Sequence, residues 1–304
     1  MVNRLPVKRT RGRPAEGRLF HLFNYTLLSV WTMACLFPFL NTFASAFSDN
    51  HAIQSGKVSL FPIGFQLDAM RTVAMDSAVQ RSLLVTVFVA IAGTMLNMLF
   101  TIITAYPLSR RDLRGRGVMM NYILVTMVFS GGMIPSYLLV KELGLLNNLM
   151  SIILPGLISS FNMIVMKTFF QNMPEELREA AVMDGCSNVR YIARIAVPLS
   201  MPAIVTVSLF YAVHHWNNYF APLLYLDNPD LHTLQVKLRS ILLLSQINFD
   251  FIEGTAGMQD NELSVIQESL KAATIVIATV PILLVYPWLQ KYFVKGAMIG
   301  SVKG

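Results

Sequence analysis

Six stretches of this chain carry no Asp, Glu, Lys or Arg: residues 19–48, 82–109, 117–140, 143–166, 195–226 and 272–290. The shortest has 19 residues and the longest 32. A hydrocarbon core about 30 Å thick is crossed by roughly 18–25 apolar residues in helical form. Backbone polar groups cannot stay unpaired in lipid, so apolar runs of this length are helices. A membrane β-barrel would need strict alternation of apolar and polar residues, which Leu83-Leu84-Val85 and Ile152-Ile153-Leu154 break. Composition agrees. Only 13% of the 304 residues are charged, about half the share of a soluble domain, and mean hydropathy is +0.54. With 54% hydrophobic residues the chain is too apolar to be disordered. The expectation is an all-α membrane protein with six transmembrane helices.

Loop charges set its orientation. The N-terminal tail and every second loop after it hold 17 of the 24 Lys and Arg residues. The positive-inside rule therefore places both termini in the cytoplasm. Residues 1–18 form a basic tail with Arg4, Lys8, Arg9, Arg11, Arg13 and Arg18. Such a tail suits anionic lipid, and no nucleic-acid partner is expected. The run that follows is far longer than the 7–15 apolar residues of a signal peptide, so it is read as a retained span. Residues 19–291 form the membrane domain and 292–304 a cytoplasmic C-terminal tail. Pro38, Pro135, Pro155, Pro281 and Pro287 lie inside spans and predict kinks around a pathway.

Several chemistries are disfavoured. Cys35 and Cys186 fall in a span and a cytoplasmic loop, so no disulfide is expected. No Cys/His group has metal-ligand spacing, and adjacent His214 and His215 cannot share one helix face. No Gly-x-x-x-x-Gly-Lys-Ser/Thr loop exists to cradle phosphate; Gly56-Lys57 is followed by Val58. ATP and its Mg ion must then be bound by another chain, and no cofactor is expected here. Proton-coupled transporters place acidic or His relays within spans, and these runs offer only the His pair. Sodium held by carbonyls stays open, which keeps an ion-coupled secondary transporter as the alternative function.

One cytoplasmic loop is more than a connector. In residues 172–198, Asn172-Met173-Pro174-Glu175-Glu176 reads as a helix start, with Asn as cap, Pro in the first turn and acids at the positive dipole end. The helix stops near Asp184 at Gly185, which suits a left-handed terminus. Ser187 caps a second short helix that ends before Pro198. Eleven residues span only about 16 Å, so this pair lies along the membrane face. Helix–Gly–helix also occurs in DNA readers, but spans on both sides would bar this pair from a major groove.

Glu179-Ala180-Ala181, Gly185, Ile195 and Val197-Pro198 together resemble the EAA loop of ABC importer permeases; that family usually has Leu-Pro at the last pair. Ser130 through Pro135, Leu143-Gly144-Leu145-Leu146-Asn147, Phe210 through Phe220 and Tyr292 through Gly296 resemble its carbohydrate-uptake branch. The likeness is to the second permease of maltose-type importers, over roughly residues 20–304. It implies a bacterial inner-membrane subunit of an ATP-driven, binding-protein-dependent importer of oligo- or polysaccharides, uronate-containing ones included. The partners it implies are a second permease, a pair of ABC ATPases and an extracytoplasmic solute-binding protein. Glu179, Ala180, Ala181, Asp184, Gly185, Ile195 and Pro198 would form the ATPase-coupling surface. A short amphipathic helix set in a groove of the motor can transmit its stroke.

For the substrate pathway the candidates are Tyr211, His215, Trp216, Asn217, Asn218 and Tyr219, with Asn162, Asn97 and Asn121 elsewhere. Aromatic faces stack on sugar rings, and Asn and His bond hydroxyls. The competing reading is an interfacial aromatic belt or helix packing. The extracytoplasmic loop 227–271 holds a charge-free piece, 240–249, that is too short to span. The resemblance gives this loop to the binding protein; a structured connector is the other reading.

Overall fold

The computed structural model describes residues 15–252, 268–284 and 287. Among them every regular element is helical. Residues 1–14 of the N-terminal tail, residues 253–267 of the expected binding-protein loop, the end of the sixth run and the C-terminal tail lie outside the described residues.

The first run is one helix, α1 (Ala15–Ala46). Its surface is apolar and open, with Phe23 67%, Trp31 72% and Met33 73% exposed. An exposed apolar stripe of this size marks a face covered by lipid or another chain. Two short helices follow, α2 (Asn50–Gln54) and α3 (Asp68–Met75). The loop between them folds back on the end of α1, where Asn41 Nδ2 donates to the carbonyls of Val58 and Ser59 at 3.2 and 3.0 Å.

The second run is α4 (Ser77–Ser109), capped by Asp76, whose carboxylate accepts the Ala78 N–H at 2.8 Å. This helix is organised opposite to one in water. Its buried face carries Ser82, Thr86, Asn97, Thr101 and Ala105, with Gly93 also buried. Its exposed face carries Leu84, Phe88, Ile91, Met95, Leu99 and Ile103. Small and weakly polar side chains let helices approach closely where lipid supplies no drive to bury Leu. Thr86 and Thr101 turn their hydroxyls to buried partners, the Leu234 N–H at 2.8 Å and the Tyr211 hydroxyl at 2.8 Å.

The next three runs are broken rather than continuous. The third is α5 (Arg116–Val128) and α6 (Met133–Glu142), which meet at 114°. Gly132 stands at φ +88° in the break and Pro135 lies in the first turn of α6. The fourth begins as a loop. Asn147 takes φ +58°, and its side-chain carbonyl accepts the N–H groups of Asp227 and Asn228 at 2.6 and 3.0 Å. Then come α7 (Met150–Ile153), a 3₁₀ turn at Leu154–Gly156 and, after a 53° bend, α8 (Ser160–Gln171). Hydropathy does not distinguish a straight helix from a bent pair; Gly and Pro at the breaks do.

Helices α9 (Glu175–Met183) and α10 (Asn188–Tyr191) form the loop pair. The helical path does not stop before Pro198. It widens into a π-turn over Ile192–Ala196 and closes with α11 (Val197–Leu199). Proline has no N–H to give and crowds the preceding turn, and a wider turn accommodates both. An 85° bend leads into α12 (Met201–Asn217). Beyond it lie α13 (Phe220–Tyr225), a 3₁₀ turn at Pro229–Leu231 and α14 (Leu234–Ile252). The last described helix, α15, covers residues 268–284.

The core is α4 packed along α12 and α8, with α14 against the start of α4. The end of α4, the start of α5, the end of α8 and the α9–α10 pair gather at one end. Arg116 ties them by donating to the Leu108 carbonyl at 3.0 Å and to Gln171 at 3.2 Å. At the opposite end Arg81 pairs with Asp230. Sequence-based loop counting likewise puts the Arg-rich segment 110–116 and the segment 167–194 on one side.

Candidate functional site

The surface pair at the basic end is built by local rules. The cap assigned to Asn172 is corrected: Asn172 closes α8, its N–H bonding the carbonyls of Thr168 and Phe169, and Pro174 stands at the cap position of α9. Glu175 and Glu176 occupy the first turn as the dipole favours. The exit from α9 is a Schellman motif. The Gly185 N–H bonds the Val182 carbonyl at 3.0 Å and the Cys186 N–H bonds the Ala181 carbonyl at 2.9 Å, with Gly185 at φ +71°. Ser187 then caps α10, accepting the Arg190 N–H at 3.4 Å.

The structure divides the seven predicted coupling residues. Glu179, Ala180, Asp184, Gly185 and Pro198 are exposed, and Ile195 is half-buried. Ala181 is 6% exposed and belongs to the chain's own core, so its small side chain serves the seat of α9 rather than an outside groove. That seat is aromatic: the Tyr106 ring of α4 meets Phe170 of α8 edge-on at 5.8 Å and Tyr191 of α10 at 6.0 Å. Burial pushes the Tyr191 phenol above its usual range. Beside it Arg110 bonds Asp112 at 2.5 Å, which lowers the Asp112 carboxyl and raises the guanidinium. Glu175 pairs with Arg178 at 3.3 Å. Among the described residues Glu179 has no ion pair.

Met183, 87% exposed, and Val189, 76% exposed, flank the turn. Two bare apolar side chains beside a free carboxylate fit a docking surface. The motif reading passed over them, although both sit within a few residues of Gly185.

The polar set on α12 also separates. Tyr211 is sealed: its hydroxyl lies 2.8 Å from Thr101 Oγ1 and accepts the Ser159 N–H at 3.0 Å. His215 is 2% exposed, with Nε2 3.5 Å from Asn97 Oδ1. Asn97 donates to the Gly156 carbonyl at 3.0 Å. These residues join helices. Asn162 is buried in the first turn of α8, where its backbone N–H bonds the capping Ser159 hydroxyl at 3.4 Å. Trp216 packs half-buried against the Val79 and Leu234 cluster, and Asn121 is exposed on α5. Asn218 closes α12, and its side-chain carbonyl accepts the Ala221 N–H of α13 at 3.4 Å.

Only the far end of the set opens. Asn217 and Tyr219 line a cavity of about 450 Å³ between α12, α14 and α15. The Arg239 guanidinium carbon lies 4.9 Å from the centroid of the Tyr219 ring in the same cavity. Arg239 is not among the sequence candidates, because its segment was assigned as a whole to the binding protein or to a connector. The signal was present: Leu234, Leu238 and Ile241 recur at helical spacing around it.

Residues 97–298 match the family described as the binding-protein-dependent transport system inner membrane component. The chain is 44% identical over 290 residues to the polygalacturonan/rhamnogalacturonan transport system permease protein YtcP of Bacillus subtilis, covering 95% of this chain and all of that one. Protein LplC of the same organism is 42% identical, over 95% of this chain and 96% of that one. A solved bacterial ABC transporter involved in the import of the acidic polysaccharide alginate contains a chain that superposes with a TM-score of 0.83 at 30% identity. That match covers 93% of this chain and all of the other.

Proposed function

The chain belongs to the inner-membrane components of binding-protein-dependent transport systems, and on that premise we propose that it is the permease subunit of an ATP-driven importer of acidic oligosaccharides. The family carries the reading of a transport permease, and the relatives make it one of sugar import. The acidic class is drawn from the named substrates of two relatives, pectic polysaccharide and alginate. The observation that carries the mechanism is the surface pair α9–α10, exposed on one side and locked by Tyr191 and Ala181 into the ends of α4 and α8. A push on α9 would pass through that aromatic seat to α4 and α12, the helices that reach the cavity end. The ATPase supplies the push, and ATP with Mg binds there. Glu179 would take an Arg or Lys of the ATPase in a charge-assisted bond, while Ala180, Met183 and Val189 would fill its groove.

Six spans, both termini in the cytoplasm, and a second, different permease beside the exposed face of α1 complete the proposal. The binding protein would dock at the end opposite α9. The ion-coupled alternative draws no support from the family or from the alignment with an ABC transporter.

The test is uptake by proteoliposomes carrying the chain with its ATPases, second permease and binding protein. ATP-dependent entry of galacturonate oligosaccharides is expected; entry that follows an ion gradient without ATP would refute the reading. For topology, a cysteine replacing Lys57 should react with an impermeant thiol reagent from outside, and one replacing Gly115 should not. Outside labelling at position 115 would reverse the orientation.

A further inference from the structure

The cavity between the end of α12, α14 and α15 has a chemistry narrower than that of a general polar vestibule. We propose that it is a carboxylate-sugar subsite in which Arg239 receives the carboxylate of a uronate residue. This inference rests on the sugar-import reading above and assigns a residue to the substrate class.

Arg239 is exposed, and among the described residues it forms no ion pair. Its guanidinium is held over the Tyr219 ring. A ring face restrains a guanidinium without neutralising it, so the planar fork keeps its donors for an incoming anion. Carboxylates match that fork through two parallel N–H···O bonds. The cavity also has what the rest of a sugar residue needs. Asn217 and Gln235 offer amides to hydroxyls, and Leu238, Ala278 and Ile282 offer an apolar wall to the C–H face of a pyranose ring. Its volume of about 450 Å³ lies within the roughly 300–1,000 Å³ typical of ligand pockets. A neutral sugar would leave unused the cation of this wall, which has no ion pair among the described residues. An acidic sugar would complete it.

The geometry also separates this subsite from the sealed polar residues lower on α12. Tyr211 and His215 meet α4 and have no opening toward the cavity lining. Selection by charge would therefore occur at the end opposite the ATPase surface, before the sugar passes the packed part of the bundle.

The test is equilibrium binding to the complete complex in lipid nanodiscs, without the binding protein. The probes are trigalacturonic acid and its methyl ester, which has the same length and no charge. The wild-type complex should bind the acid at least about tenfold more tightly than the ester, as a charge-assisted pair requires. Arg239→Gln should remove the preference by weakening the acid alone, and Arg239→Lys should keep part of it. Tyr219→Ala should reduce it by freeing the guanidinium. Equal affinity of the wild type for both probes, or no binding of either, overturns the subsite. So does a loss of permease pairing in Arg239→Gln and Arg239→Lys alike, which would make Arg239 an assembly residue. Wild-type uptake of the same acid in proteoliposomes is scored separately, so import without charge preference would reject the subsite and leave the permease reading intact.

Discussion

The two ends of the molecule use the same kinds of residue in opposite ways. At the basic end a buried aromatic trio, Tyr106, Phe170 and Tyr191, is a seat, and the residues proposed to meet the ATPase stand exposed outside it on α9 and α10. At the opposite end an aromatic, Tyr219, lines a cavity and holds a cation over it. Between the two, Tyr211 and His215 are as polar as Asn217 and Tyr219 but face α4 and are sealed. What decides the role is the rotation of each side chain about its helix relative to α4. A polar residue facing α4 joins helices; one turned away is available to a ligand or partner.

This contrast predicts that changes on the sealed face act on stability, while changes at the two open ends act on transport. The largest effect is expected at Gly93, where a Cβ would stand 2.5 Å from His215 Nε2. Gly93→Leu should drive α12 off α4 and cost about 3 kcal/mol or more, by overpacking. A sharp fall in the yield of folded protein and in thermal stability is the readout; a folded, wild-type-stable variant would show that this contact is not tight. Next is Gly185→Val. No atom lies within 4 Å of a Cβ there, so its penalty is backbone strain at φ +71°, about 1–2 kcal/mol or somewhat more for a branched residue. The bundle should insert and fold, while uptake is uncoupled from ATP hydrolysis or the ATPase is released. Unchanged uptake per ATP would break the contrast at the basic end.

Tyr211→Phe removes one hydroxyl from Thr101 and the Ser159 N–H. The expected loss is roughly 0.6–1.7 kcal/mol, the range for hydrogen bonds between membrane helices, with sugar selectivity unchanged. Altered selectivity at full stability would place Tyr211 in the pathway. The smallest stability effect belongs to Asn217→Ala, whose amide bonds, among the described residues, only the Val213 carbonyl one turn back. It should change stability by less than about 0.5 kcal/mol yet reduce sugar uptake. Normal uptake of every acidic sugar tried would leave Asn217 as a helix end alone.

Much of this was legible in the sequence, and the misses have physical causes. Charge-free runs gave the membrane class because lipid tolerates no unpaired backbone. Gly185 and Ser187 were legible because turns and caps are decided by one or two residues. Asn172 misled because the same side chain suits a helix start or a helix end, and the proline two residues later took the cap position. The prolines at 135 and 155 announced kinks beside the bends at 129–132 and 157–159, but hydropathy, which is blind to direction, did not give their angles. Ala181 and Ala180 look identical in the chain, and only the docking of α9 on Tyr106 and Tyr191 turns one inward. Arg239 was missed because a cation becomes informative only once its neighbours in space are known, and Tyr219 is 20 residues away.

The central claim is that the α9–α10 surface meets the ATPase and carries its stroke. It is tested most directly by replacing Met183, the most exposed apolar residue of that surface, with cysteine in a chain whose Cys35 and Cys186 are changed to Ser. The complex would be treated with a short bifunctional thiol reagent against single cysteines in the ATPase groove, with and without ATP. The account predicts a permease–ATPase cross-link at position 183 that blocks uptake and is released, with recovery of uptake, when the linker is cleaved. No cross-link in any nucleotide state, or a cross-linked complex that transports at the wild-type rate, would contradict it.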